Sequence, residues 1–231
     1  MGMNVVVKEK KVINYKSCFD VIGPVMIGPS SSHTAGALAI GLVANKLLQG
    51  YPKKVVVKYY ESFAETHKGH GTDFAIIAGV LGFATDDRRV PDSIKIAKSQ
   101  GIEISFIEET GESPAGHPNT ADIYLENENR WIRVVGISVG GGLIKVKHID
   151  IDGFSLDLEG SLPIMIAISE KVNLELELRR ILKSYDVEIN DSLYMEKNGK
   201  YLYEFDLNSQ LNDEAREELN KLNDIAKIII L

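Results

Sequence analysis

Ile164-Met165-Ile166-Ala167-Ile168 opens the stretch whose reading decides the fold class. Five apolar residues in a row, three of them β-branched, read as a strand. Leu174, Leu178, Ile181, Leu182 and Tyr185 follow at helical spacing. Val187 to Met195 and Tyr201 to Leu207 form two strands around Asn198-Gly199, a strong hairpin turn. Leu211, Ala215, Leu219 and Leu222 mark a second helix face, and Ile225 to Leu231 a final strand. The order βαββαβ over residues 162–231 is the ferredoxin-like arrangement.

Glu159-Gly160-Ser161 separates this unit from residues 1–161, whose pattern is mixed. There Asn14 to Gly28 is apolar and ends in a Gly-Pro turn. Ile40, Val43, Ala44, Leu47 and Leu48 predict a helix over residues 35–48, and small Gly36, Ala37, Ala39 and Gly41 predict close packing against a neighbour. Val55 to Phe63 reads as a strand. Thr72 or Asp73 is placed to cap a helix running from Phe74 to Leu81, and Pro91 suits the first turn of another that ends near Gly101. Ile102 to Ile107 alternates as a strand. Strands over residues 121–126, 130–139, 143–149 and 154–158 then follow, joined at Asn127-Glu128-Asn129, Gly140-Gly141-Gly142 and Asp152-Gly153. The fold class is therefore α+β, a mixed α/β domain over 1–161 followed by a ferredoxin-like domain over 162–231.

The chain has 231 residues, a net charge of -7 and 44% hydrophobic residues. Neither half is basic, which gives nucleic-acid binding no electrostatic support. No run of about 18 apolar residues marks a membrane span. The N-terminus places Val5-Val6-Val7 before its charges, the reverse of a secretory signal, so a cytoplasmic location is expected. A single cysteine, Cys18, excludes internal disulfides and any cluster or zinc site needing several thiolates. Its plainest reading is a small buried hydrophobe.

Chemistry concentrates in the loops. Gly28-Pro29-Ser30-Ser31-Ser32-His33-Thr34-Ala35-Gly36 sets three hydroxyls and an imidazole at a helix start. An ordinary cap explains one serine; a site for a carboxylate or phosphate explains all three. Lys68-Gly69-His70-Gly71-Thr72-Asp73 repeats that logic, with glycines for close approach, a lysine to pair with an anion, and an imidazole for proton transfer near neutral pH. The alternative is a loop with a solvent histidine. His117-Pro118-Asn119-Thr120 is either a rigid turn or a third part of the same pocket. Gly140-Gly141-Gly142 is a weak signal, and His148 in its alternating strand reads as structural. His67, His70 and Asp73 lack zinc spacing, so no metal ligand is assigned.

These motifs, with Tyr15-Lys16-Ser17, the continuous run from Phe19 to Gly36, and Val135-Gly136-Ile137-Ser138-Val139-Gly140-Gly141-Gly142, resemble the β chain of iron–sulfur-dependent L-serine dehydratase. Four ordered motifs over residues 14–160 carry the likeness, and the trailing unit resembles an ACT domain. The resemblance implies conversion of L-serine to pyruvate and ammonia. It implies an α subunit that carries a [4Fe-4S] cluster, one iron of which acts as Lewis acid on the serine hydroxyl. It gives His33 or His70 the proton transfer, without choosing between them. It gives Ser30, Ser31, Ser32 and Thr34 the substrate carboxylate, with Lys68, Gly69, Gly71, Thr72, Asp73, His117, Asn119 and Thr120 completing the shell. The ACT-like loop Ser169-Glu170-Lys171-Val172-Asn173-Leu174-Glu175 lacks the glycine usual in amino-acid-binding members, which points to self-association rather than serine binding. Two other readings stand beside this one: a purely regulatory amino-acid-sensing subunit, and a metal-dependent hydrolase built on His67, His70 and Asp73.

Overall fold

The computed structural model describes residues 24–159 and 161–231. Most of the first apolar segment, with Cys18 and Tyr15-Lys16-Ser17, lies outside the described residues. Two sheets organise the rest. The first has six strands in the order β2-β1-β3-β4-β5-β6: β1 (Lys54–Tyr60), β2 (Glu103–Glu108), β3 (Thr120–Glu126), β4 (Trp131–Gly140), β5 (Leu143–Ile151) and β6 (Phe154–Asp157). β1 and β2 are parallel and every other pair is antiparallel. The parallel pair needs a crossover, and the helices between them supply it: α2 (Glu61–Thr66), α3 (Thr72–Val80) and α4 (Ser93–Ser99). Ahead of β1, a π-helical turn over Ser31–Gly36 runs directly into α1 (Ala37–Leu48).

Alternate residues of the central strands make the core. Val55, Val57 and Tyr59 of β1 and Ala121, Ile123 and Leu125 of β3 are buried in one cluster with α1 and α3. The two helices touch backbone to backbone. A Cβ on Gly41 would lie 2.3 Å from the Ile76 carbonyl oxygen, and one on Gly79 would lie 2.1 Å from the Leu38 carbonyl oxygen. Their contacts run in step, from the Thr34 hydroxyl donating to the His70 carbonyl at one end to the Asn45 amide donating to the Val80 carbonyl at the other. The helices are thus parallel, with both N-termini at one end.

Two local expectations are corrected. The strand expected to reach Phe63 ends at Tyr60, because Glu61 takes a left-handed conformation (φ 45°) and starts α2. Long-range bonds hold that turn: Ser113 N–H donates to Glu61 Oε1, and Phe63 N–H to the Pro118 carbonyl. The second helix is not capped by Thr72 or Asp73. Gly71, at φ 73°, is its cap residue, Thr72 is buried inside the first turn, and Asp73 faces His67.

The second sheet has four antiparallel strands in the order β10-β7-β9-β8: β7 (Ile164–Ser169), β8 (Ile189–Lys197), β9 (Lys200–Leu207) and β10 (Ala226–Ile230), with α5 (Glu175–Ser184) and α6 (Asp213–Asn220) between them. Within this unit the spatial order is fourth, first, third, second, as a ferredoxin-like βαββαβ requires. Met165 and Ala167 of β7 pack with α5 and α6, while Ile164, Ile166 and Ile168 join the core of the first sheet. The continuous apolar run is thus buried on both faces. Lys227 pairs with Asp152, and Lys197 donates to the Gly153 carbonyl, tying the two units across their junction.

Replacing Gly79 with alanine tests the helix contact. Helix propensity would favour alanine by about 1 kcal/mol, but the new methyl group meets rigid backbone from three residues, Leu38, Gly41 and Leu42. Overpacking costs of about 1–3 kcal/mol should win. Urea unfolding of Gly79→Ala should show a lower midpoint; an unchanged or higher midpoint would mean that α1 and α3 separate freely.

Candidate active site

The parallel helices bring their leading loops together. Ser30 caps the π-helical turn, its hydroxyl accepting the His33 N–H at 3.1 Å. The turn aims the His33 ring towards the second loop, where it meets His70 edge to face with centroids 4.9 Å apart. The His33 Nδ1 lies 3.0 Å from the Ser32 hydroxyl, and its Nε2 lies 3.2 Å from the Ser62 hydroxyl. The Ser30 and Ser32 hydroxyls are 3.4 Å apart, extending the chain of polar groups. Phe63 packs against the same ring at 5.3 Å. His70 is exposed, and neither of its ring nitrogens has a hydrogen-bond partner among the described residues. Burial first, and the neighbouring His70 second, hold His33 below the ordinary histidine value. Its ring is therefore neutral at neutral pH, which leaves one nitrogen basic.

The third and fourth motifs close on the same turn. Ser138 N–H donates to the Asn119 carbonyl at 3.0 Å. The Ser138 hydroxyl is buried without a partner among the described residues, and it sits where a side chain on Gly36 would be, 2.1 Å from that Cβ position. Gly142 backs onto Pro24 and Ala35, where a Cβ would reach 2.8 Å and 3.6 Å. The Pro118 carbonyl holds Phe63 N–H, one residue past Ser62. Residues of the four stretches thus lie around the turn that carries His33.

Several expected shell residues are engaged elsewhere. Lys68 does not await an anion; it pairs with Glu108 at 2.8 Å because β2 ends beside the loop. That pairing, with a bond from His67, pulls the Glu108 carboxyl down to about 2. His67 is buried, stacked on Tyr59, and held by Asp73 at 2.6 Å and Glu108 at 2.8 Å. Burial and the Asp73 carboxylate drive the Tyr59 phenol well above its usual range. Asp73 is therefore part of this support beneath the loop. The Thr120 hydroxyl donates to the His117 carbonyl and accepts from Ser113, so it braces the third loop. His117 Nδ1 accepts the Asn119 N–H. The His67, His70 and Asp73 set is split: two members bind each other and the third faces His33. Among the described residues no group of three or more His, Cys, Asp or Glu side chains is arranged to hold a metal ion. His148 lies between Asp150 and Asp157, as its structural reading requires.

Ser62 is the site residue that sequence reasoning missed. It stands 29 positions from His33, in a segment that reads as strand, and only the left-handed turn at Glu61 delivers it. A non-glycine residue at positive φ stores strain of about 1–3 kcal/mol, and such residues cluster at functional sites.

Together these features define an α+β protein whose candidate site, a histidine pair among serine hydroxyls, is built from loops at parallel helix N-termini. Comparison with known proteins carries this further. The family description "Serine dehydratase beta chain" matches residues 17–148, more than half of the chain. The chain belongs to that family. Among its relatives is the probable L-serine dehydratase, beta chain, of Bacillus subtilis, 40% identical over 219 residues, covering 94% of this chain and 98% of the relative. The L-serine dehydratase, beta chain, of Peptoniphilus asaccharolyticus is 41% identical over 147 residues, 62% of this chain and 64% of that one. L-serine dehydratase 2 of Escherichia coli matches at 42% identity over 86 residues, 35% of this chain but 17% of that protein.

The His33–His70 contact predicts coupled titration. Replacing His70 with asparagine removes the smaller of the two causes that depress His33. NMR titration of the full chain should show the His33 pKa rising in the variant yet staying below that of an exposed histidine. An unchanged value would mean that the rings do not sense each other.

Proposed function

We propose that this chain is one subunit of an L-serine dehydratase, supplying carboxylate-binding and proton-transfer groups to an active site completed by an α chain. The observation that carries the reading is the His33–His70 pair at 4.9 Å, set among serine hydroxyls at the start of α1. The match to only 17% of the Escherichia coli protein supports a division of labour, since that longer chain has room for a second part. An iron–sulfur cluster does not fit this chain's own residues: cluster ligation takes several thiolates, and the sequence has one cysteine. The cluster belongs, on this reading, to the α chain, and no step here runs through it.

The chain's own residues divide the work. Ser30, Ser31 and Ser32, at the start of the turn that leads into α1, bind the serine carboxylate, because helix N-termini and neutral hydroxyls favour anions without a charged side chain. His70 takes the Cα proton, since its ring is exposed and its nitrogens are unengaged among the described residues. His33 sits behind it as a neutral partner, fixed by Ser32 and Ser62, its own protonation opposed by burial and by the His70 charge. Asn119 reaches the same turn through Ser138, whose N–H donates to its carbonyl and whose hydroxyl lies against Gly36. The second unit, read as ACT-like, serves self-association: β8 is an edge strand with Leu193 and Tyr194 facing solvent.

The engagement of both His33 nitrogens favours one other reading, a regulatory subunit with no chemistry of its own. In the reconstituted complex, His70→Ala should lower kcat about 100-fold or more, with the thermal stability of the chain unchanged. Full activity in that variant would remove His70 from the mechanism and favour the regulatory subunit.

A further inference from the structure

A cleft of about 440 Å³ opens where the two units meet, away from the histidine pair. Leu42 and Val43 of α1, Val139 and Leu143 at the tip of the β4–β5 hairpin, and Leu162 and Leu231 from the second unit line it. The volume is in the range of small-molecule sites, which favour junctions between packed units and combine apolar walls with a few polar groups. Val139 is 45% exposed and Leu143 is 51% exposed, so aliphatic surface is left to water. The polar groups here are cationic. Lys46 and Lys145 line the cleft, and neither has a carboxylate partner among the described residues. Arg216 stands near Lys46 and, among the described residues, bonds only the Leu211 carbonyl. Loss of hydration, and then the Arg216 charge, hold the Lys46 ammonium below the ordinary lysine value. In a chain of net charge -7, unpaired cations gathered beside aliphatic walls fit one chemical class.

We propose that this cleft binds an aliphatic carboxylate, its tail against Leu42, Val43, Leu143 and Leu162 and its carboxylate at Lys46 and Lys145. The ligand differs from serine, which has no aliphatic tail to bury. Occupancy bears on the candidate active site through shared elements. The hairpin whose tip lines the cleft also carries Gly142, which backs onto Ala35 beside His33, and α1 forms a wall of the cleft and continues from the His33 turn.

Octanoate is the probe, titrated calorimetrically into the full chain, with octylamine as the control of equal tail and opposite charge. The expected result is saturable binding of one octanoate, no saturable binding of octylamine, and binding about tenfold weaker in Lys46→Met or Lys145→Met, as loss of a charge-assisted contact implies. A rise in Tm with octanoate concentration should accompany it. No saturable octanoate binding, equal binding of octylamine, or equal affinity in both variants would overturn the proposal. Loss of octanoate binding when an α chain is added would also overturn it, by making the cleft a protein interface. None of these readouts depends on serine turnover, so this site and the dehydratase reading stand or fall separately.

Discussion

The contact between α1 and α3 at Gly41 and Gly79 is the constraint on which the rest depends. Neither position has room for a methyl group, because each faces the other helix's backbone. Two helices that close cannot shift relative to each other without breaking contacts on both sides. Since they run parallel, the loop ahead of each arrives at the same end. His33 precedes one helix and His70 precedes the other, and their rings meet as a consequence. The chemistry of the site is therefore set by backbone packing some distance below it. The buried His67, held between Asp73 and Glu108 and stacked on Tyr59, adds a second support under the His70 loop.

The same helix links the site to the second unit. α1 starts in the π-helical turn and packs at its far end towards β10, with Gln49 donating to the Ile228 carbonyl. The first core takes in Ile164, Ile166, Ile168, Leu202, Ile229 and Leu231 from the second sheet. That sheet is a wall of the first unit as well as the floor under α5 and α6. It is not apolar throughout. Glu204 is buried on β9, and burial together with the adjacent Asp206 pushes its carboxyl up to about 8. A carboxyl raised in this way opposes folding as pH rises between its unfolded value and about 8, because the unfolded chain gives up its proton first.

Much of this was legible in the sequence. The helical period of Ile40, Val43, Ala44 and Leu47 and the alternation in residues 121–126 follow directly from burying one face of each element. The run from Ile164 to Ile168 announced a strand, and the Asn198-Gly199 turn fixed the hairpin register. The loops were legible because glycine, proline and serine have few structural duties that would gather them with histidine. What stayed hidden depends on distant partners. Lys68 finds Glu108 only because β2 ends beside its loop, 40 positions later. Ser62 reaches His33 only through the Glu61 turn, whose stabilising bonds come from Ser113 and Pro118. Gly41 stood out as a small residue on a helix, but Gly79, its partner, sits in an apolar helix with no visible face.

The central claim is that the histidine pair of this chain forms half of an active site. The most direct measurement is anaerobic pyruvate formation from L-serine by this chain alone, by an α chain alone, and by the two mixed. The account predicts turnover in the mixture only. Equal turnover by the α chain alone would contradict it and leave the chain a regulator.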